Sequence, residues 1–343
     1  MTLKKVDTGA LHDWVDDLIR EQKTVGVQAK NDQFVFAPLK RASDLRLDYD
    51  VTILPPKIYF QPQWETLLTY REDEGYQSVI EAEPLVILGV HPYDMAAIHQ
   101  MDEVFSQSPP DIRYLSRREN ATIVVADVQR ASPNTFAGYM GTSSIDSGYD
   151  ILLTRIGDEY LVDIATEKGE SVIGTLARAS DADESWLEQR KLIWEHNREA
   201  LRQHELKAGP STWPELLEKS YEHPVWAEKA KLCFSCGSCT LVCPTCYCFD
   251  IREDVGWNLN SGRRTRVWDG CVLRDFARVA GDINFRKDVA ARYRHRYYRK
   301  GKYVPSRIGG QIACVGCGRC IQACVANIAN PVEVFNRLAE GKR

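Results

Sequence analysis

The sequence predicts an α+β protein, with an N-terminal α/β domain built on a mixed sheet over residues 1–210 and a mostly helical domain over 211–343. Three observations predict it. A continuous apolar run, Pro84–Val90, is followed by a turn and a helical pattern, as in an α/β unit. Apolar stretches flank Asn31-Asp32 and Gly157-Asp158, the signature of hairpins. All 11 cysteines lie between Cys233 and Cys324, beyond a proline- and glycine-bearing stretch at 207–214 that reads as a boundary.

Residues 8–23 form an amphipathic pattern, with Thr8 as N-cap and Leu11, Trp14, Val15, Leu18 and Ile19 on one face. Val25–Val27 and Phe34–Phe36 pair as a short hairpin. After the Pro84–Val90 strand and its His91-Pro92-Tyr93-Asp94 turn, a helix runs from Met95 to Phe105. Ala121–Val128 is a second buried strand. Tyr149–Arg155 and Glu159–Ile164 make another hairpin, and Ser185–Leu206 is helical. Past the first cysteines, Leu273, Phe276, Ala277, Val279 and Ala280 recur at helical spacing, so helices are expected over 271–300.

The hydrophobic fraction of 44% and charged fraction of 27% are those of an ordinary globular protein, and a net charge of −4 gives no general attraction to nucleic acid or anionic membrane. The first 17 residues lack the apolar core of a signal peptide, and runs such as Leu85–Val90 are too short to span a bilayer. A cytoplasmic protein without an integral membrane segment is expected. An odd number of cysteines crowded at two- and three-residue gaps makes a poor disulfide framework and a good set of metal ligands.

Two motifs carry the chemistry. Cys233-Phe-Ser-Cys236-Gly-Ser-Cys239-Thr-Leu-Val-Cys243-Pro244 and Cys314-Val-Gly-Cys317-Gly-Arg-Cys320-Ile-Gln-Ala-Cys324-Val325 are both C-x2-C-x2-C-x3-C. Three cysteines at this spacing wrap a 4Fe–4S cubane, with Gly237, Gly316 and Gly318 letting the backbone close around it. The fourth cysteine ligates the other cluster. Cys233, Cys236, Cys239 and Cys324 are therefore assigned to one cluster, and Cys314, Cys317, Cys320 and Cys243 to the second. The C-terminal domain reads as a dicluster ferredoxin-like domain with two 4Fe–4S clusters. Zinc fits less well, since it favours ligand pairs separated by a longer loop. Cys246, Cys248 and Cys271 remain. They are either ligands of a further metal site that needs a fourth group, or small buried packing residues, and the second is preferred.

Residues 262–302 hold 13 Lys and Arg against 4 Asp, a local charge of +9. This stretch could contact nucleic acid, dock an acidic partner, or offset the charge of clusters and cysteinates, and nucleic-acid binding is not expected. His91 at a strand end reads as a structural hydrogen-bond partner. No glycine fingerprint for a dinucleotide, P-loop, His-Glu-x-x-His or haem motif is present.

With these residues in view, the chain resembles the beta subunit of soluble hydrogenase/sulfur-reductase complexes and a related iron–sulfur chain of anaerobic sulfite reductase. The resemblance is most specific in Cys233–Phe249, Gly262–Cys271, Ala280–Arg286 and Cys314–Cys324, and weaker in Gly89–Ala97, Arg117–Ile123 and Gly138–Thr142. It implies an electron-transfer subunit with no substrate site of its own, relaying electrons between a flavin- and NAD(P)-binding subunit and a catalytic redox subunit that is hydrogenase-like or sulfite-reducing. Relatives often carry cysteines near Tyr93 and residues 133–138; this sequence has none there, which argues against an additional N-terminal cluster. The alternative is a self-contained reductase with a substrate or flavin pocket in the N-terminal domain. A zinc-stabilised nucleic-acid module is a third, less favoured reading.

Overall fold

The computed structural model describes residues 2–341. The chain opens with β1 (Thr2–Asp7), which leads directly into α1 (Thr8–Glu21). Asp7, not Thr8, caps this helix: its carboxylate accepts from the Ala10 amide at 2.7 Å, leaving Thr8 as the first helical residue. The expected apolar face is the buried one, with Leu11, Trp14, Val15 and Leu18 turned inward. The first hairpin is β2 (Thr24–Lys30) and β3 (Gln33–Pro38), and its turn places Asn31 in the left-handed region that asparagine tolerates.

A second hairpin follows, β4 (Trp64–Arg71) and β5 (Gly75–Ser78), before the buried strand β6 (Leu85–Val90) and its helix α2 (Pro92–Phe105). After α3 (Ile112–Asn120), β7 (Ala121–Ala126) is buried along its whole length. The short α4 (Ala137–Met140) precedes the hairpin β8 (Ile151–Ile156) and β9 (Glu159–Ile164). The two-residue β10 (Ser180–Asp181) then leads to α5 (Glu184–Ala200), which stops six residues short of the expected end.

These strands form a mixed eight-stranded sheet in the order β10-β1-β9-β8-β7-β6-β2-β3. Its centre, β8-β7-β6-β2, is parallel, and antiparallel hairpins finish both sides. The central strands alternate between two cores because successive side chains point to opposite faces. Val86, Leu88, Val124 and Ala126 pack towards α1, while Ile87, Val90, Ile123 and Val125 pack with residues of α2 and α3.

Across the 207–214 stretch the chain is anchored. Trp213 opens α6 (Trp213–Lys219) fully buried, its ring stacked on Phe335 at 3.7 Å. Next come α7 (Val225–Ala230) and α8 (Ser238–Leu241), then β11 (Phe249–Val255) and β12 (Ser261–Trp268). This hairpin joins the earlier one in a four-stranded sheet of order β11-β12-β4-β5. The seam is tied by Arg266 to Glu65 and Asp111, with Arg117 to Glu65 at 2.7 Å.

The helices expected over 271–300 are reduced to one, α9 (Val289–Tyr298). Residues 271–288 are mostly irregular, with the two-residue pair β13 (Arg278–Val279) and β14 (Ile283–Asn284) around Gly281 and Asp282, both at positive φ. Here tertiary packing overrides the apolar period: Leu273 lies against Gly237, and Val272 lines the cysteine cavity described below. The short α10 (Arg319–Gln322) and α11 (Pro331–Ala339) complete the fold. Among the described residues no helix is long and apolar enough to cross a membrane.

Candidate iron–sulfur centre

The two cysteine motifs have nearly the same backbone. Gly237 and Gly318 sit at φ 78° and 80°, ψ −9° in both, and each opens a one-turn helix, α8 or α10. Two residues earlier, Ser235 and Gly316 are also left-handed, at φ 54° and 69°. The left-handed corners are what glycine permits cheaply, and Ser235 is held there by the Arg292 guanidinium donating to its hydroxyl at 3.1 Å.

Cys233, Cys236 and Cys239 of the first motif and Cys324 of the second line one cavity. Phe234, Val272, Tyr293, Val325, Ala326 and Ile328 form its apolar walls. Cys236 is exposed at the mouth, beside the exposed Phe234 and Val325. On the other side, Cys317 and Cys320 are buried, Cys314 is half-buried, and Cys243 is close enough to act electrostatically on all three. The structure thus brings Cys324 to the first three cysteines of the other motif, and sets Cys243 within electrostatic reach of Cys314, Cys317 and Cys320.

Burial pushes the Cys239 and Cys314 thiols up to about 12, and raises Cys317 and Cys320 as well. Ligation of such thiols releases protons. The charge around them fits an anionic occupant. Arg296 of α9 is 3% exposed, is in no ion pair among the described residues, and leaves Nε and Nη1 without hydrogen-bond partners. Despite the opposing effect of burial its guanidinium is held charged, by the Cys239 and Cys320 sulfurs among others. A buried cation facing sulfurs from both motifs, together with eight converging thiols, suits cysteinate-bound iron–sulfur clusters. Among the described residues no three His, Cys, Asp or Glu side chains meet as a single ion requires.

The basic stretch is explained in part by this interior. Arg292, Arg296 and Lys300 recur at helical spacing and are all buried, with Arg292 also donating to the Val272 carbonyl at 3.1 Å. Sequence periodicity could have found this face; composition alone showed only the charge.

The second motif is seated on the N-terminal sheet domain. Gly316 O accepts from the Phe136 amide at 2.8 Å and the Thr135 hydroxyl at 3.1 Å, and Val315 O accepts from Thr142 at 2.7 Å. A Cβ on Gly316 would fall 2.6 Å from the Ala137 nitrogen, so this contact needs glycine. Arg319, between Cys317 and Cys320, makes two 2.6 Å bonds to Asp94 and two 2.8 Å bonds to Thr52. Tyr93 and Ala137 pack with Cys317 in one buried cluster. His91 is a structural partner: fully buried, stacked on Tyr49 at 3.9 Å and hydrogen-bonded to Tyr93 at 2.6 Å, with burial holding it neutral.

Residues 232–328 match the 4Fe-4S dicluster domain family. The chain is 32% identical over 320 residues to sulfhydrogenase 2 subunit beta of Pyrococcus furiosus, covering 93% of each chain. The chain belongs to the sulfhydrogenase beta-subunit family. It is an iron–sulfur electron-transfer subunit. The family match spans both cysteine motifs and the β11–β12 hairpin between them, while the identity to the relative extends through the eight-stranded sheet.

Proposed function

We propose that this chain relays electrons through two 4Fe–4S clusters, between a flavin- and NAD(P)-binding subunit and a catalytic redox subunit of hydrogenase or sulfur/sulfite-reductase type. The cavity lined by Cys233, Cys236, Cys239 and Cys324 carries this reading, since its ligands come from two separated motifs in the swapped pattern of a two-cluster ferredoxin. Cys314, Cys317, Cys320 and Cys243 are the ligands proposed for the second cluster. When bound, each cluster supplies a one-electron store. The chain's residues hold eight thiolates at two adjacent sites, exclude water with Val272, Tyr293 and Ile328, and set positive charge between the sites through Arg296. The exposed Cys236 edge is the proposed exit to a partner, and residues 1–210 are the proposed docking platform.

Affinity purification from the native source under anaerobic conditions tests this directly. About eight irons and eight acid-labile sulfides per chain are expected, with a flavoprotein and a second redox subunit co-purifying. A chain isolated alone, with zinc or its own flavin, would overturn the relay.

Arg296 gives a second test. Arg296→Gln removes a buried positive charge beside both sites, so the reduced, more negative form of each cluster loses stabilisation. Its midpoint potentials, read by redox titration with electron paramagnetic resonance, are expected to move negative. An unchanged or positive potential would exclude Arg296 as a tuning charge.

A further inference from the structure

Three cysteines lie outside the two cluster sets, and the fold gathers them. Cys248 ends the run Cys243-Pro-Thr-Cys246-Tyr-Cys248 just before β11, and Cys271 comes three residues after the end of β12. The strands pair Phe249 with Trp268, and the Asp269 amide donates to the Cys248 carbonyl at 3.1 Å, so both cysteines sit at the same end of the hairpin. There the Cys271 thiol donates to the Cys248 sulfur. Beside them, the Cys246 thiol donates to the sulfur of Cys243, the cysteine assigned above to the second cluster.

The surroundings are cationic. Lys57 is 3% exposed, donates to the Cys246 carbonyl at 2.6 Å and lies over the Trp268 ring at 4.2 Å. Arg299 covers Tyr247 at 4.9 Å, and the buried Lys300 donates to the Thr245 hydroxyl. None of these cations has a carboxylate partner in an ion pair among the described residues, although each feels the sulfurs of Cys246 and of Cys248 or Cys243. Buried cations without carboxylates call for another anion, and a thiolate supplies it. The hydrogen bond from Cys271 draws Cys248 down to about 6, with Arg299 and the two lysines adding to it, while Cys271 is held as the neutral thiol. A thiolate touching a thiol is the starting arrangement for disulfide formation. A third iron–sulfur centre fits less well, because Cys246, Cys248 and Cys271 supply three cysteines where such a centre takes four.

We propose that Cys248 and Cys271 form a redox-active dithiol, a two-electron store beside the second cluster site. This rests on the relay proposed above, which supplies the electron acceptors. In the oxidising direction a bond forms between the Cys248 and Cys271 sulfurs and the Cys271 S–H bond breaks. One proton leaves to solvent. Two electrons leave one at a time, one to each 4Fe–4S cluster. Reduction reverses each step. Such a pair lets a one-electron wire hold two electrons for a two-electron donor or acceptor at its end.

The test uses the anaerobically purified holoprotein, poised with mediators over a series of potentials, acid-quenched, alkylated and analysed by peptide mass spectrometry. At low potential both cysteines are expected to be alkylated; at high potential the two peptides are expected to be linked by a disulfide, with iron content unchanged. The holoprotein is expected to take up about four electrons per chain and Cys271→Ser about two, with its iron retained and Cys248 alkylated at every potential. Two cysteines that stay alkylated throughout, in protein holding about eight irons, would sink the dithiol and leave the relay standing. Cysteines blocked without a cross-link, with metal lost in Cys271→Ser, would replace it with a third metal centre. Protein without iron would remove the relay, and the dithiol's electron acceptors with it.

Discussion

Cys324→Ala is expected to empty the cluster site of the other motif, not of its own. Cys324 follows Cys314, Cys317 and Cys320 in sequence, yet its side chain lines the cavity of Cys233, Cys236 and Cys239. Removing its sulfur leaves that cavity three ligands, one of them the exposed Cys236. Iron is expected to fall from about eight to about four atoms per chain. Alkylation of the native variant decides which site was lost. Labelling of Cys233, Cys236 and Cys239, with Cys314, Cys317 and Cys320 protected, is the expected pattern. The reverse pattern would mean that each motif closes its own cluster, and the swapped assignment would fail.

Arg319→Met is expected to be the most destabilising single change away from the ligands. Arg319 and Asp94 have side chains 1% and 0% exposed and meet through two 2.6 Å bonds. The pair itself is weak grounds for stability, because desolvating two charges offsets much of their attraction. Breaking it is another matter, since Asp94 would be left buried without a counter-charge. The cost is about 3–5 kcal/mol, read as a lower denaturation midpoint under anaerobic conditions. Adding Asp94→Leu removes the orphaned charge and is expected to restore part of the loss, the Thr52 carbonyl still lacking its donor. A single variant within about 1 kcal/mol of the parent would show that water or rearrangement satisfies Asp94. Because Arg319 sits between Cys317 and Cys320, the variant should also lose iron faster from that motif.

The two predictions bear on one design. The first motif opens to solvent at Cys236, and the second is locked to the N-terminal sheet through Gly316, Val315 and Arg319. One site therefore faces outward while the other faces the interior of the chain.

Much of this was legible in the residues alone, because it depends on local chemistry. Continuous apolar runs specified both buried strands, since a strand covered on both faces needs apolar residues at successive positions. The cysteine spacing gave the ligand types because a three-residue step is the reach of one loop around a cubane. The N-cap was misplaced by one residue, as Asp7 and Thr8 are both competent caps and only the direction of the incoming strand chooses. The helices expected over 271–288 failed for a different reason: their apolar residues serve a cavity wall and a glycine contact, which have no helical period.

What only the tertiary structure decided is long-range pairing. Nothing local in Arg319 names Asp94, and nothing in Arg296 names the sulfurs of two motifs. Cys271 could be read only as a packing residue or an incomplete ligand until the β11–β12 hairpin carried it back to Cys248. The sequence alone thus determined most of the elements and which cysteines are proposed to bind iron, since periodicity and spacing act over a few residues. Which buried charges and thiols meet was settled by the fold, because their partners lie tens to hundreds of residues away and burial makes an unpaired group too costly to leave alone.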